Sequence, residues 1–182
     1  MSKEDLFYPL IKNWLRETKG CSYVRIRKSI WGKQPDVLGV KFSKASEKSL
    51  RADLHMIEVK VADDLNSIYQ LIGEIEVKIA LFTNKTSMFY ALYPYLAVFP
   101  SKFFEELKLY SNHRQIGLIR LKSEKNSLSL VRTPTPIISK KIISMKLLKR
   151  ITGTAGSDEM RIIEEAIKTV GWWDFKKLVE SF

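Results

Sequence analysis

Cysteine is almost absent from this chain of 182 residues: Cys21 stands alone, so no internal disulfide can form and nothing points to an oxidising compartment. Histidine is nearly as scarce. His55 and His113 have no metal-ligand spacing with a cysteine or with each other, which argues against zinc. Long apolar runs are missing too, since Lys, Arg, Asp or Glu interrupts each one before it reaches the length of a membrane span. The opening Met1-Ser2-Lys3-Glu4-Asp5 has no apolar core behind a basic start, so no secretory leader is expected and the cytoplasm is the expected location. There is no Gly-rich phosphate loop of the Walker type and no assignable Ser-His-Asp set, which disfavours ATP hydrolysis and acyl transfer.

Acidic residues are outnumbered: 20 Asp and Glu face 31 Lys and Arg, for a formal charge of +11 and a pI near 9.7. A field of that sign attracts polyanions, of which phosphate backbones are the commonest, but it does not separate DNA from RNA or cutting from binding. Hydrophobic residues at 45% with charged residues at 28% fit a packed globule, and the length suits one domain with a short appendage.

Ser2-x-x-Asp5 has a capping-box pattern, and Leu6, Phe7, Leu10, Ile11, Trp14 and Leu15 form a helical stripe that Gly20 can end. Ser22 to Ile30 alternates as a strand with a basic outer face, and a second strand is expected over Asp36 to Phe42. Ser43 to Asp53 reads as a polar loop, and Leu54 to Val61 as a third strand. Asp63 or Asp64 can cap a helix whose stripe runs through Ile68, Leu71, Ile72, Ile75, Ile79 and Phe82. A fourth strand is expected over Thr86 to Tyr93, a helix over Ser101 to Tyr110, and a hairpin from Ile116 to Val131. A helix between the third and fourth strands is the usual crossover of a parallel pair, so the expected class is α/β with a mixed sheet. After Pro136 the texture changes. Ser139 to Ile151 reads as a basic amphipathic helix, Ser157 can cap a further helix ending near Gly171, and Trp172, Trp173 and Phe175 follow. The expected division is a core domain over 1–136 and a basic helical extension over 137–182.

Glu58 and Lys60 are two apart on an apolar strand and leave its same face, a costly arrangement unless something pairs with them. A divalent cation held by Glu58 and by Asp36 on the neighbouring strand would offset that cost, and two carboxylates with water and phosphate oxygens suit magnesium or manganese. Lys60 can then stabilise charge developing on phosphorus or help deprotonate the attacking water. Asp36, Glu58 and Lys60 therefore contain the parts needed for phosphodiester hydrolysis.

Over about the first 130 residues the chain resembles the PD-(D/E)xK nuclease superfamily, in the branch of archaeal Holliday-junction resolvases and restriction-endonuclease-like proteins. The carriers are Glu4, Pro35-Asp36-Val37-Leu38-Gly39 and Ile57-Glu58-Val59-Lys60, with Tyr69-Gln70-Leu71, Met88 to Tyr93 and Ile116-Gly117-Leu118-Ile119 fitting later elements. The resemblance implies a restriction-endonuclease-like mixed central sheet flanked by helices, here with a C-terminal helical extension. It implies Asp36, Glu58 and the Val59 carbonyl as metal ligands for Mg2+ or Mn2+, Lys60 as catalytic, and Glu4 from the first helix as a further member of the site. It implies an endonuclease acting on DNA, with homodimers pairing two sites where both strands are cut. A Gly-Ser segment before Pro35, common in junction resolvases, is absent. A module that keeps the fold and binds nucleic acid without cutting is the alternative.

Arg25, Arg27, Lys28 and Lys33 precede Pro35 closely and are the expected phosphate contacts. Lys140, Lys141, Lys146, Lys149 and Arg150 fit phosphate gripping and a solvated helix face equally well. Trp172, Trp173 and Phe175 fit terminal packing better than base stacking.

Overall fold

The structure, a computed structural model, describes residues 3–46, 49–61, 64–99, 102–122, 127–144 and 157–171. Within them an α/β fold forms, with a mixed eight-stranded sheet packed against four helices. A 3-10 turn over Glu4–Leu6 leads into α1 (Tyr8–Glu17). Strands β1 (Tyr23–Ile26), β2 (Val37–Ser46) and β3 (Ser49–Lys60) follow, then α2 (Leu65–Lys85) and β4 (Ala91–Val98). Next come α3 (Phe104–Arg114), β5 (Gly117–Lys122), β6 (Ser127–Arg132), β7 (Ile137–Ile138), β8 (Ile143–Ser144) and α4 (Asp158–Val170). The order β1-β2-β3-β4-β5-β6 is antiparallel at both margins and parallel at β3–β4 and β4–β5, the two junctions bridged by α2 and α3.

Strand parity sorts the core. Ile57 and Val59 of β3 and Tyr95 and Ala97 of β4 pack under α1, with Ile11 and Leu15. Leu54 and Met56 of β3 point to the other face, where α4 supplies Ile162, Ile163, Ala166 and Ile167. There too Leu96 and Val98 meet α2 and α3 through Ile68, Leu71, Ile75 and Leu107. Asp64 caps α2 by accepting from the Ser67 amide at 2.8 Å, and Ser157 caps α4. Gly171 ends α4 at φ +83°.

Several expectations are corrected. Among the described residues the α-helix starts at Tyr8, where Pro9, with no amide to donate, suits the first turn, and Glu4 lies in the 3-10 turn before it; the expected cap residue Ser2 lies outside the described residues. Strand β1 stops at Ile26, where Arg27 takes φ +50°; its Tyr23 is wholly buried beneath α4, not on a basic outer face. Ser43 to Asp53 is no loop: β2 and β3 stay paired to Ser46↔Ser49, with Leu50 and Ala52 buried. Strand β4 lies over Ala91–Val98 and carries Pro94 within it. Proline is tolerated there because β5 pairs only from Tyr95 onward and β7 only with Ala91 and Leu92, which leaves that edge of Pro94 without a ladder partner.

The segment after Pro136 also departs from expectation. Ile137–Ile138 and Ile143–Ser144 add short strands to β4 and β3 where a helix from Ser139 was expected. The rest of that expected helix, with Lys146, Lys149 and Arg150, lies outside the described residues, as do Trp172, Trp173 and Phe175. Helix α4 is bound to the sheet by Glu159, which is 1% exposed. Its carboxylate accepts from Ser87 N (2.9 Å), Ser87 Oγ (2.7 Å), Met88 N (3.1 Å) and Trp31 Nε1 (3.1 Å). Glu159→Ala would strand these donors and is expected to cost roughly 3 kcal/mol. Urea denaturation checks this; unchanged stability would mean that apolar packing alone holds α4. No helix among the described residues is long and apolar enough to cross a membrane.

Candidate functional site

The antiparallel register of β2 and β3 pairs Val37 with Ile57, which brings Asp36, one residue before β2, level with Glu58. The Asp36 carboxylate spans the strand ends. Its Oδ2 accepts from the Val59 amide at 2.8 Å and its Oδ1 from the Tyr8 hydroxyl at 3.1 Å. Burial, with a lesser contribution from Asp36, pushes the Tyr8 phenol up to about 12, so it stays a donor at neutral pH. Arg27 lies over the Tyr8 ring and donates to its oxygen and to Asp5 at 3.0 Å, which fixes the loop ahead of Pro35 against α1.

Glu58 is 1% exposed, and the described structure meets its charge with a cation from α2: Lys78 Nζ lies 2.7 Å from Glu58 Oε2. The other oxygen, Oε1, is buried with no hydrogen-bond partner among the described residues. Burial pushes the Glu58 carboxyl up to about 8; Lys78 opposes the rise, and the charges of Asp36 and Glu74 add to it. Lys60, at the end of β3, turns to Glu4, with Nζ 3.7 Å from Oε1; the same oxygen accepts weakly from Val61 N at 3.4 Å. The structure thus bonds Asp36 to the Val59 amide, sets Glu58 level with Asp36 across the strand pair, and pairs Lys60 with Glu4.

A groove of about 240 Å³ opens beside these residues, lined by Lys33, Gln70, Gly73, Glu74, Val77 and Lys78. Lys33 therefore faces the groove, whereas the other three basic candidates are engaged within the fold, Arg27 with Asp5 and Tyr8. Lys28 bridges to Glu165 of α4 at 2.5 Å, and Arg25 lies over the Tyr23 ring at 4.7 Å. Lys78 is the member sequence reasoning missed. Its signal was present: it stands in the α2 stripe between Ile75 and Phe82, where an apolar residue is the rule.

No family model, no curated protein and no solved structure matches this chain. The site is therefore judged on its own chemistry. Among the described residues no group of three or more His, Cys, Asp or Glu side chains is placed to hold a metal ion. Two carboxylates are brought together, however, and the chemistry of that pair fits a hard divalent ion. Asp36 keeps lone pairs beyond its two accepted bonds, and Glu58 Oε1 is a buried acceptor with no donor among the described residues.

Proposed function

We propose that the chain is a metal-dependent nuclease that hydrolyses phosphodiester bonds, with DNA as its expected substrate and a restriction-endonuclease-like arrangement of the PD-(D/E)xK type. The observation that carries this reading is the Asp36–Val59 hydrogen bond at 2.8 Å. It docks the Pro-Asp motif onto the Glu-Val-Lys motif beside a buried carboxylate oxygen that has no hydrogen-bond partner among the described residues. Asp36, Glu58 and the Val59 carbonyl would hold Mg2+ or Mn2+, which when bound supplies Lewis-acid polarisation of a phosphoryl oxygen and a more acidic water.

The chain's own groups do the rest. Tyr8 and the Val59 amide orient the Asp36 carboxylate, leaving it no freedom to rotate. Lys60, steadied by Glu4, offers its ammonium to the non-bridging oxygens as charge builds on phosphorus. Lys33 and Lys78 line the adjoining groove, where an incoming strand would lay its phosphates.

Incubation with plasmid and branched DNA, with magnesium or manganese and then with chelator, tests the proposal. Cleavage is expected with metal and none with chelator. Cleavage that survives Asp36→Ala or Lys60→Ala would sink the assignment. Tyr8→Phe keeps the ring and removes the bond to Asp36. It is expected to weaken metal affinity about 10-fold with little loss of stability, the usual effect of losing an outer-shell partner; isothermal titration with Mn2+ reads it.

A second reading, a nucleic-acid-binding module that does not cut, draws on the Lys78–Glu58 pair, in which an ammonium already meets the charge a metal would meet. Salt-dependent binding without cleavage of duplex, branched or single-stranded substrates in either metal favours it.

A further inference from the structure

Helix α1 ends at Glu17, short of the far part of the sheet face that it covers. A pocket of about 190 Å³ opens there, on the face opposite the Glu58–Lys78 pair, with Lys41 of β2, Asp53 and His55 of β3, Tyr93 of β4, and Lys19 among its lining residues. Its volume corresponds to several water molecules.

Three features of its walls are unbalanced. His55 is 4% exposed, and its Nδ1 is buried with no hydrogen-bond partner among the described residues. The His55 ring lies flat against Tyr93 (centroids 4.6 Å apart, planes 8° apart), so its remaining bonding capacity is at its edge. Asp53 Oδ1 is likewise buried and without a partner. Lys19 and Lys41 form no salt bridge with any described carboxylate, even though Lys41 and Asp53 are cross-strand partners; the Lys19 ammonium rests instead over the Trp14 ring at 5.0 Å and the Tyr95 ring at 6.0 Å, which leaves its charge without an anion. Each lysine is near enough for its charge to matter locally: Lys41 works with burial to lower the Lys19 ammonium, and both lysines add to the burial that holds His55 neutral, down to about 3.

An occupant that satisfies all three needs negative oxygens for two ammonium groups and at least one proton to donate. Buried unmatched polar groups are costly, so a ligand supplying both would gain strongly. A cation is the wrong sign beside two lysines. A phosphodiester has charge but no proton to give. Sulfate at neutral pH lacks one too. A phosphate carrying a hydroxyl has both.

We propose that the pocket between Lys19, Lys41, Asp53 and His55 is a second site that binds inorganic hydrogen phosphate, which keeps a P–OH group at neutral pH where a phosphomonoester is mostly the proton-free dianion. Lys19 and Lys41 meet the charged oxygens, and Asp53 accepts from the P–OH group beside the edge of the His55 ring. Acceptance by Asp53 is what separates phosphate from sulfate. None of Asp36, Glu58 and Lys60 takes part, so this inference is independent of the nuclease reading.

Isothermal titration at neutral pH with inorganic phosphate, methyl phosphate and sulfate tests it, alongside the ring-nitrogen shifts of His55 in a labelled protein. Phosphate is expected to bind and to move the His55 signals, with sulfate at least about 10-fold weaker. Methyl phosphate, mostly the proton-free dianion at neutral pH, is expected to bind as weakly as sulfate; methyl phosphate binding as tightly as inorganic phosphate would overturn the role given to the P–OH group. Lys19→Gln and Lys41→Gln, both outside the apolar core, are each expected to weaken phosphate about 10-fold or more. Asp53→Asn, which can donate, is expected to bring sulfate level with phosphate. The proposal is overturned if millimolar phosphate gives neither heat nor a His55 shift, if sulfate binds the wild-type protein equally, or if both lysine variants bind as before with unchanged melting temperature.

Discussion

Lys78→Met should destabilise the metal-free protein by about 3–5 kcal/mol at alkaline pH, because it leaves a buried carboxylate without its cation. Lys78 and Glu58 are only 6% and 2% exposed at their side chains and lie 2.7 Å apart, while Glu58 Oε1 lacks a partner among the described residues. The pH dependence has a definite sign. Burial raises the folded Glu58 carboxyl from 4.5 to about 8, so the folded state holds a proton that the unfolded chain has released. Stability from this group is fully present below pH 4.5 and is lost as pH rises through about 8. Removing Lys78 takes away the cation that limits the rise, so in the variant the loss continues beyond that point and the deficit against wild type widens with pH. Urea denaturation at acid and alkaline pH measures it. Lys78→Met combined with Glu58→Leu should recover most of the loss, since a buried pair can be replaced by apolar groups more cheaply than it can be broken. Equal deficits in the single and double variants would show that Lys78 acts through packing instead. If Glu58 holds the ion as proposed, magnesium should stabilise the wild-type protein more at high pH than at low, because a metal-ligating carboxyl must be ionised.

Lys78 also shows where sequence reading reached its limit. Glu58 and Lys60 on a buried strand signalled that something must pair with them, and a metal was the natural partner to expect. A second cation from α2 answered part of that need, and it sat in plain view among Leu71, Ile75 and Phe82. Helical period identifies an out-of-place residue but not what faces it across a sheet. The α2 cap at Asp64, the parallel β3–β4 pair, the β5–β6 hairpin and the α4 cap at Ser157 were all legible, because local capping and crossover rules fix them. What failed depended on distant partners. Ser43 to Asp53 looks like a loop because its polar side chains are counted without the ladder between β2 and β3, and Leu50 is buried by pairing with Ile143, far along the chain. Pro94 looks like the end of a strand unless one sees that β5 and β7 both stop short of it. Likewise Tyr23 looks solvent-facing until α4, from the far end of the described chain, lays Glu165 against its hydroxyl at 2.5 Å.

Asp36→Asn should lower metal-dependent cleavage on the order of 10³-fold, near the upper end of what removing a single fixed charge-stabilising group costs, while changing stability little. The side chain is nearly the same shape, and its remaining carbonyl oxygen can still accept from the Val59 amide, as Asp36 Oδ2 does at 2.8 Å. The Tyr8 hydroxyl, donor to Oδ1 at 3.1 Å, can rotate to accept from the new amide, so neither neighbour is left stranded. What disappears is the negative charge, and with it half of the carboxylate pair. That charge helps to raise Glu58, so the variant should also bring the Glu58 carboxyl down, a change in the opposite direction from Lys78→Met. Lys60→Gln separates the roles further. It should abolish cleavage to a similar degree yet leave Mn2+ binding intact, since Lys60 contacts Glu4 rather than the carboxylate pair. Titration with Mn2+ alongside plasmid cleavage distinguishes the two: Asp36→Asn loses both readouts, Lys60→Gln only the second. Wild-type metal affinity in Asp36→Asn would remove Asp36 from the ligand set, and with it the reason for docking Pro35-Asp36 against Glu58-Val59-Lys60.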